Sequence, residues 1–311
     1  MTAQSAMAIL AILMLVLIVT GWIEVWHIFA ITMAAGLARI FQRPTAQSLG
    51  VDSVDQERIP NGVALLNAAT NFALVVGPLL GGVLFDMFGP EGAYAMVAAF
   101  NVLSGIAALC IGTTRVSVAK KGESVLTVVV QGAMYVKGEQ LLWSAIVVAV
   151  IFNITGFSFH VTLVPIFAKD VLETNSIGLG FLIASFGIGG LVGSLFWAAI
   201  PDLRQIGLLC ILAVLGWHAT MILFSVSTNF YLAVAVLMGT GMMFSSSLVM
   251  VLTVLMKTSP PEFRGRIMGL RTLAIYAHAF GSAAFGAIAG LLGAPITVFI
   301  CGVGGIGMMI I

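Results

Sequence analysis

Ten apolar stretches, each of roughly 17 to 29 residues, follow one another along the chain with only short polar interruptions. No arrangement in water can bury them all. Their approximate limits are 6 to 22, 26 to 48, 61 to 87, 91 to 112, 141 to 166, 177 to 198, 207 to 226, 229 to 256, 264 to 292 and 295 to 311. Of 311 residues, 60% are hydrophobic and 8% charged, against roughly 25% charged in an ordinary soluble domain. A polar shell cannot be built from so few charges, so lipid is the solvent for most of the chain. The Met1 to Thr20 stretch lacks the basic start and cleavage site of a secretory signal, and it counts as a span.

The placement of Lys and Arg supports that count. If the first span runs outward, the loops after spans 2, 4, 6 and 8, with the adjoining helix ends, hold Arg39, Arg43, Arg58, Arg115, Lys120, Lys121, Lys137, Arg204, Lys257, Arg264, Arg266 and Arg271. Only Lys169 of the thirteen basic residues falls on the other side. One missed or invented helix would scramble this alternation, so both termini are expected in the cytoplasm of a plasma (inner) membrane protein. The segment Ser124 to Val136, in the one substantial loop, is apolar enough to lie along the membrane surface.

Net charge is +1 with no basic tail, which argues against a nucleic-acid partner. Cys110, Cys210 and Cys301 lie far apart and offer neither a disulfide framework nor a metal site. The four histidines are scattered singly across the spans and no Walker A string is present. A membrane enzyme and an ATP-driven pump are therefore both disfavoured, and no cofactor is expected.

Shifting the chain by 204 residues superimposes the third span on the ninth: Leu66 meets Leu270, Ala73 meets Ala277, Gly77 meets Gly281, Gly82 meets Gly286 and Gly89 meets Gly293. The offset implies a period of six helices in which spans 5 and 6 have no earlier counterpart. The expectation is a twelve-span protein lacking its first two helices and the last few residues of its final one. The alternative is a natural ten-span protein.

The third span carries Gly77-Pro78-Leu79-Leu80-Gly81-Gly82. Small residues let helices approach closely in lipid, and proline deletes a backbone hydrogen bond and bends its helix. Such a helix suits a moving gate or ordinary packing. Together with the string Pro260 to Gly269 and Arg43-Pro44 before an acidic loop, this motif resembles the major facilitator superfamily, and within it the drug-efflux and enterobactin-exporter-like group. GPLLGG resembles the antiporter motif of that superfamily's helix 5, which makes the first span here helix 3.

The resemblance implies an all-α polytopic membrane protein of two six-helix bundles. Residues 1–112 would form the first bundle (family helices 3 to 6), 113–140 a central loop, and 141–311 the second (helices 7 to 12). The superfamily's Gly-x-x-x-Asp-Arg loop is absent here; a loosely spaced echo stands at Gly193, Asp202 and Arg204.

Polar side chains inside lipid-solvated helices are candidate site residues by default. Arg39, near the middle of span 2, would need an acidic or ligand partner, or would snorkel beside Arg43. It resembles a family Arg-x-x-Gln pattern through Gln42. Asn67 and Asn71 share one face of span 3. Span 5 carries a polar seam of Asn153, Thr155, Ser158 and His160 around Gly156, followed by Pro165. Span 9 places Arg271 and His278 on one face, with Tyr276 nearby. Arg39, Asn67, Asn71, Asn153, His160 and His278 are thus the candidate substrate contacts. His218 belongs to a helix expected at the periphery and is left out.

Gly77, Pro78, Gly81, Gly82, Asp202, Arg204, Arg264, Arg266 and Arg271 are candidates for gating or structural roles. Ser259, Pro260 and Glu262 fit a capping box that starts the ninth span. Arg264 and Arg266 then either close an inner gate with acids such as Asp202 or simply set topology. No acidic side chain falls clearly at mid-membrane. A carboxylate that carries protons would belong to the missing helices, though histidine, with a reference pKa near 6.5, can also serve.

The resulting expectation is a monomeric secondary transporter, a proton-coupled antiporter of the efflux or multidrug-resistance kind. It would export a small apolar or amphipathic compound, drug- or siderophore-like, by alternating access. The alternatives are a nutrient or metabolite importer of the same fold and an inactive truncated fragment.

Overall fold

The computed structural model describes residues 2–52, 59–110, 125–200, 205–260 and 263–310. Among them the secondary structure is helical throughout, with no strand. The helices are α1 (Thr2–Val19), α2 (Val25–Asp52), α3 (Ile59–Cys110), α4 (Val125–Gly138), α5 (Gln140–Ile151), a π-helical segment (Phe152–Phe157 and Phe159–Leu163), α6 (Val164–Asp170), α7 (Ser176–Ala198), α8 (Ile206–Ser225), α9 (Phe230–Thr258), α10 (Arg264–Tyr276), α11 (His278–Leu292) and α12 (Ala294–Ile310).

Among the described residues each apolar stretch of the sequence is largely helix. Among the described residues six helices are long and apolar enough to cross a bilayer: Phe72–Ala108, Gln140–Asp170, Ser176–Ala198, Ile206–Ser225, Phe230–Thr258 and Arg266–Leu292. The shorter apolar helices are Gln4–Val19, Val25–Arg39 and Ala294–Met309. The chain is an all-α polytopic membrane protein.

Two of the expected spans are joined in α3, and the outer loop expected between Asp86 and Glu91 shrinks to one residue. Gly89 (φ 67°, ψ −167°) breaks the helix there, in a conformation open almost only to glycine. Gly293, its partner under the 204-residue offset, has φ 82° and ψ 160° and separates α11 from α12. The same offset brings the start of α2 (Val25) to within one residue of that of α9 (Phe230). One helix start and one pair of glycine conformations thus follow the offset, beside the glycine identities.

Three local details refine these expectations. The dihedrals of α3 stay helical through Pro78, and the helix breaks at Gly89. The ninth span is two helices, α10 and α11, parted at Ala277. Near the helix start expected at Pro260, Phe263 N donates to Pro260 O (3.0 Å). There α10 begins only at Arg264, and the Ser259 hydroxyl donates back to Leu255 O at the end of α9. Glu262, the other half of the expected capping box, lies outside the described residues. Asparagine performs the capping elsewhere: Asn175 accepts from Gly178 N at the start of α7, and Asn229 from Tyr231 N and Leu232 N at the start of α9.

The chain divides into two compact units, Met1–Lys120 and Lys121–Ile311. In the first, Met7, Ala11 and Met14 recur at helical spacing and are the buried face of α1. Gln4, one turn earlier, donates its amide to Asn101 O of α3 (3.0 Å), an interhelical bond suited to lipid. Exposed Ile9, Val16, Phe29, Phe72 and Phe100 face outward, as a lipid-solvated surface requires.

The second unit has two apolar clusters. One gathers Phe159, Leu163, Phe167, Trp217, Met221, Phe224, Leu237 and Val298 from the π-helical segment, α6, α8, α9 and α12. The other gathers Val136, Leu142, Ile146, Met250, Leu255 and Ile267 from α4, α5, α9 and α10. The Ser124 to Val136 segment, expected along the membrane surface, is largely α4, and it docks on α10. There Tyr135 stacks on Phe263 (4.2 Å), and a Cβ on Gly132 would press on the Arg266 backbone.

Helices α7 and α9 cross at backbone contact. A Cβ on Gly189 would overlap the Met238 carbonyl, one on Gly241 the Phe186 carbonyl, and one on Gly193 would lie 2.7 Å from Met242 O. The crossing is sealed by Trp197 Nε1 donating to Ser246 Oγ (2.7 Å).

Candidate functional site

The span Gln140–Asp170 departs from α-helical geometry where its polar seam lies. From Phe152 to Leu163 most hydrogen bonds reach one residue further back, in two π-helical runs. Pro165, just beyond, has no N–H to donate, so the preceding turn loses an i→i−4 partner and widens at little cost. The widened turns present Asn153, Thr155, Ser158 and His160 in directions a regular helix would not.

Each of these side chains has a defined place. Asn153 is buried and donates to Ala149 O (2.7 Å). Ser158 donates to His278 O (2.9 Å), tying the segment to the α10–α11 break, where Gly281 lets α11 approach the Ile154 carbonyl. Thr155 Oγ1 lies 2.8 Å from His218 Nε2 and 2.7 Å from Ile151 O. His218 Nδ1 lies 2.8 Å from Val214 O, so that nitrogen carries a proton. One hydroxyl proton cannot serve both neighbours. A neutral His218 takes the Thr155 proton at Nε2, whereas a doubly protonated ring would leave it to Ile151 O.

His218 is fully buried, and α12 makes room for it with Gly305, whose Cβ would overlap the ring. Sequence reasoning passed it over. The available signal was an ionisable residue in an apolar helix, combined with the glycine spacing of α12.

Where the two apolar clusters of the second unit meet, a cavity of about 160 Å³ opens. It is lined by Ala149, Phe152, Asn153 and Phe157 from the α5–π span, Phe244, Leu248 and Val251 from α9, and Arg271 and Ile275 from α10. Phe244 is the hub of its aromatic wall, with ring centroids 5.4 Å from Phe152, 6.1 Å from Phe157, 5.2 Å from Phe186 and 5.2 Å from Trp217. His278 stands edge-on to Phe157 (5.1 Å). His160 stacks on Phe186 (3.9 Å), and its Nδ1 is buried without a hydrogen-bond partner among the described residues.

The structure therefore brings together Asn153 and Arg271 in the cavity wall, with His160 and His278 one ring behind it. It gives other expected residues different surroundings. Arg39, expected near mid-span with an acidic or ligand partner or snorkelling beside Arg43, is exposed on α2. Arg266 lies over the Phe263 ring (5.3 Å) near α4. A Cβ on Gly77 or Gly81 would meet nothing within 4 Å, so close packing at these two glycines is not seen among the described residues. Pro78 is half-buried and Gly82 buried. The side chains of Asn67, Asn71 and Arg264, and the whole of Asp202 and Arg204, lie outside the described residues. No group of three or more metal-ligating side chains occurs among the described residues.

The model of the transmembrane secretion effector family, a branch of the major facilitator superfamily, matches residues 1–311. The chain belongs to this family. Similar curated members are the enterobactin exporter EntS of Shigella flexneri, 26% identical over 259 residues, and that of Escherichia coli O1:K1 / APEC, 25% identical over 259 residues. Each alignment covers 83% of this chain and 60% or 61% of the exporter, so the chain spans about three-fifths of the length of these relatives.

Two solved structures share the fold at TM-score 0.64: a bacterial metal transporter (15% identical, 98% of this chain and 82% of that one) and a bacterial homologue of the iron transporter ferroportin in its inward-facing state (14%, 99% and 82%). The family and these relatives are transporters rather than enzymes.

Proposed function

We propose that this secretion effector is the membrane-embedded body of a secondary transporter. It exports a small apolar or amphipathic compound, drug- or siderophore-like, by alternating access. The observation that carries the reading is the cavity of the second unit, which lies within spanning helices and has a wall of aromatic and aliphatic side chains with only Asn153 and Arg271 polar. Ligand sites of this kind are concave, mostly apolar and provided with a few placed polar groups. The exporter relatives support outward flux; the fold itself has no preferred direction.

In this reading residues 1–112 and 141–311 act as the two bundles joined by 113–140. Gly77, Pro78, Gly81 and Gly82, with Asp202, Arg204, Arg264 and Arg266, serve the gate, and Asn67, Asn71 and Arg39 contribute to the pathway. His160 and His278, beside the cavity wall, are the candidates for moving protons in exchange for cargo. The protein works as a monomer in the inner membrane with both termini cytoplasmic, the side to which twelve of thirteen basic residues are assigned.

The test is flux in sealed inside-out vesicles, with labelled enterobactin and a lipophilic dye as probes and an imposed acid-inside pH gradient. The reading expects uptake above protein-free vesicles that rises with the gradient. Flux that ignores the gradient defeats the antiport claim, and flux no greater than in empty vesicles defeats transport.

A further inference from the structure

We infer that the cavity of the second unit is an anion site: it takes a small ligand bearing one negative charge, such as a carboxylate or sulfonate, on a flat apolar body. The inference rests on the transport reading only in calling that ligand cargo.

Arg271 is the one charged side chain among the nine that line the cavity, and no carboxylate is among them. It is half-buried, and its guanidinium has no hydrogen-bond or ion-pair partner among the described residues. A guanidinium within a membrane-spanning helix needs a counter-charge, because desolvation penalises the isolated ion. Its five N–H donors form a planar fork that matches a carboxylate with two parallel bonds.

The remaining wall fixes the rest of the ligand. Phe152, Phe157 and Phe244 offer ring surface, and Leu248, Val251 and Ile275 aliphatic surface. A cavity of about 160 Å³ is of the size that admits a single aromatic ring, since dry apolar cavities of roughly 150 Å³ take up benzene. Asn153, with one amide hydrogen committed to Ala149 O, keeps its carbonyl oxygen and second hydrogen for a polar substituent. A cationic ligand of the same shape would meet the Arg271 charge and be repelled. The assignment gives Arg271, a gating or structural candidate in the sequence, a place in the site itself, on the cavity side that its equivalence with Asn67 under the 204-residue offset implies.

The experiment compares three isosteric probes at pH 7, benzoate, benzyl alcohol and benzylammonium, binding to the full 311-residue chain in lipid nanodiscs by ligand-observed NMR titration. Benzoate should bind at least about tenfold more tightly than benzylammonium. Arg271→Gln should weaken benzoate about tenfold or more while changing benzyl alcohol less than about twofold, and Arg271→Lys should keep most of the benzoate affinity, as a charge-assisted contact requires. Ile275→Phe, which fills the cavity, should weaken benzoate and benzyl alcohol together.

Equal or preferential binding of benzylammonium, or benzoate binding untouched by both Arg271→Gln and Ile275→Phe, overturns the inference. If Arg271→Gln fails to fold, the order of the three probes on the unmodified chain and on Arg271→Lys decides alone. Flux plays no part in this readout. Selective benzoate binding without transport would fail the transport reading only, and transport without anion preference would fail this inference only.

Discussion

Replacing Gly189 by alanine sets helix propensity against helix packing at one atom. In isolation the change favours the helix by roughly 0.5–1 kcal/mol, because glycine is the costlier residue to order. At the α7–α9 crossing the added methyl would overlap the Met238 carbonyl, and the atoms it meets are backbone, so no side chain can swing aside. Relief requires the helices to part by about 1 Å, a gap that forfeits a quarter to a half of each dispersion contact along the crossing. Overpacking of this kind costs about 1–3 kcal/mol, so the net expectation is a loss of about 1–2 kcal/mol. Gly241→Ala, which would strike the Phe186 carbonyl from the opposite helix, should behave alike. Gly290→Ala in α11 has nothing within 4 Å of its new methyl and should be neutral or stabilising by up to about 1 kcal/mol. Titration of the detergent-solubilised chain with SDS, followed by tryptophan fluorescence, reads the unfolding; among the five tryptophans, Trp197 bonds Ser246 across the crossing. A Gly189→Ala protein as stable as the parent would refute the close approach of these helices and the packing argument with it.

Thr155→Val should destabilise the second unit by about 1–3 kcal/mol by leaving His218 Nε2 buried without its partner; a double-mutant cycle with His218→Leu in the same SDS titration should show the two losses to be strongly non-additive. Gly293→Ala should cost about 1–3 kcal/mol in that assay, because its backbone conformation is open almost only to glycine. Gly89→Ala should cost a similar amount, the nearby Glu91 carboxylate being free to move away from the new methyl.

The architecture was legible in the sequence to the extent that hydropathy alone dictates it. A chain that must satisfy its backbone inside lipid has helices where it is apolar, and the 204-residue offset located Gly293 before its dihedral was known. What hydropathy could not report was local geometry. Ser259, Pro260 and Glu262 satisfy the pattern of a capping box, yet the described helix begins only at Arg264, and the Ser259 hydroxyl also donates back to Leu255 O, as a serine at the end of a helix can. The seam of Asn153, Thr155, Ser158 and His160 was visible as polarity, whereas the π-helical turns that aim it depend on Pro165 and on the packing of Gly156 beneath Trp217. Phe244 was invisible as a site residue because an aromatic in an apolar helix carries no signal of what it faces. His218 was set aside on an argument about helix position, although a buried imidazole in a membrane span requires a partner wherever its helix sits.

The central claim, that the cavity of the second unit is a cargo site reached from both sides of the membrane, is tested most directly by a single cysteine placed in its wall. Leu248→Cys, in a background lacking Cys110, Cys210 and Cys301, is exposed to a membrane-impermeant thiol reagent in right-side-out and in inside-out vesicles. Labelling is expected from both faces, with the ratio of the two rates shifting when a pH gradient is imposed and both rates falling when benzoate occupies the cavity. Labelling from one face alone, at a rate that neither the gradient nor the ligand changes, would contradict it.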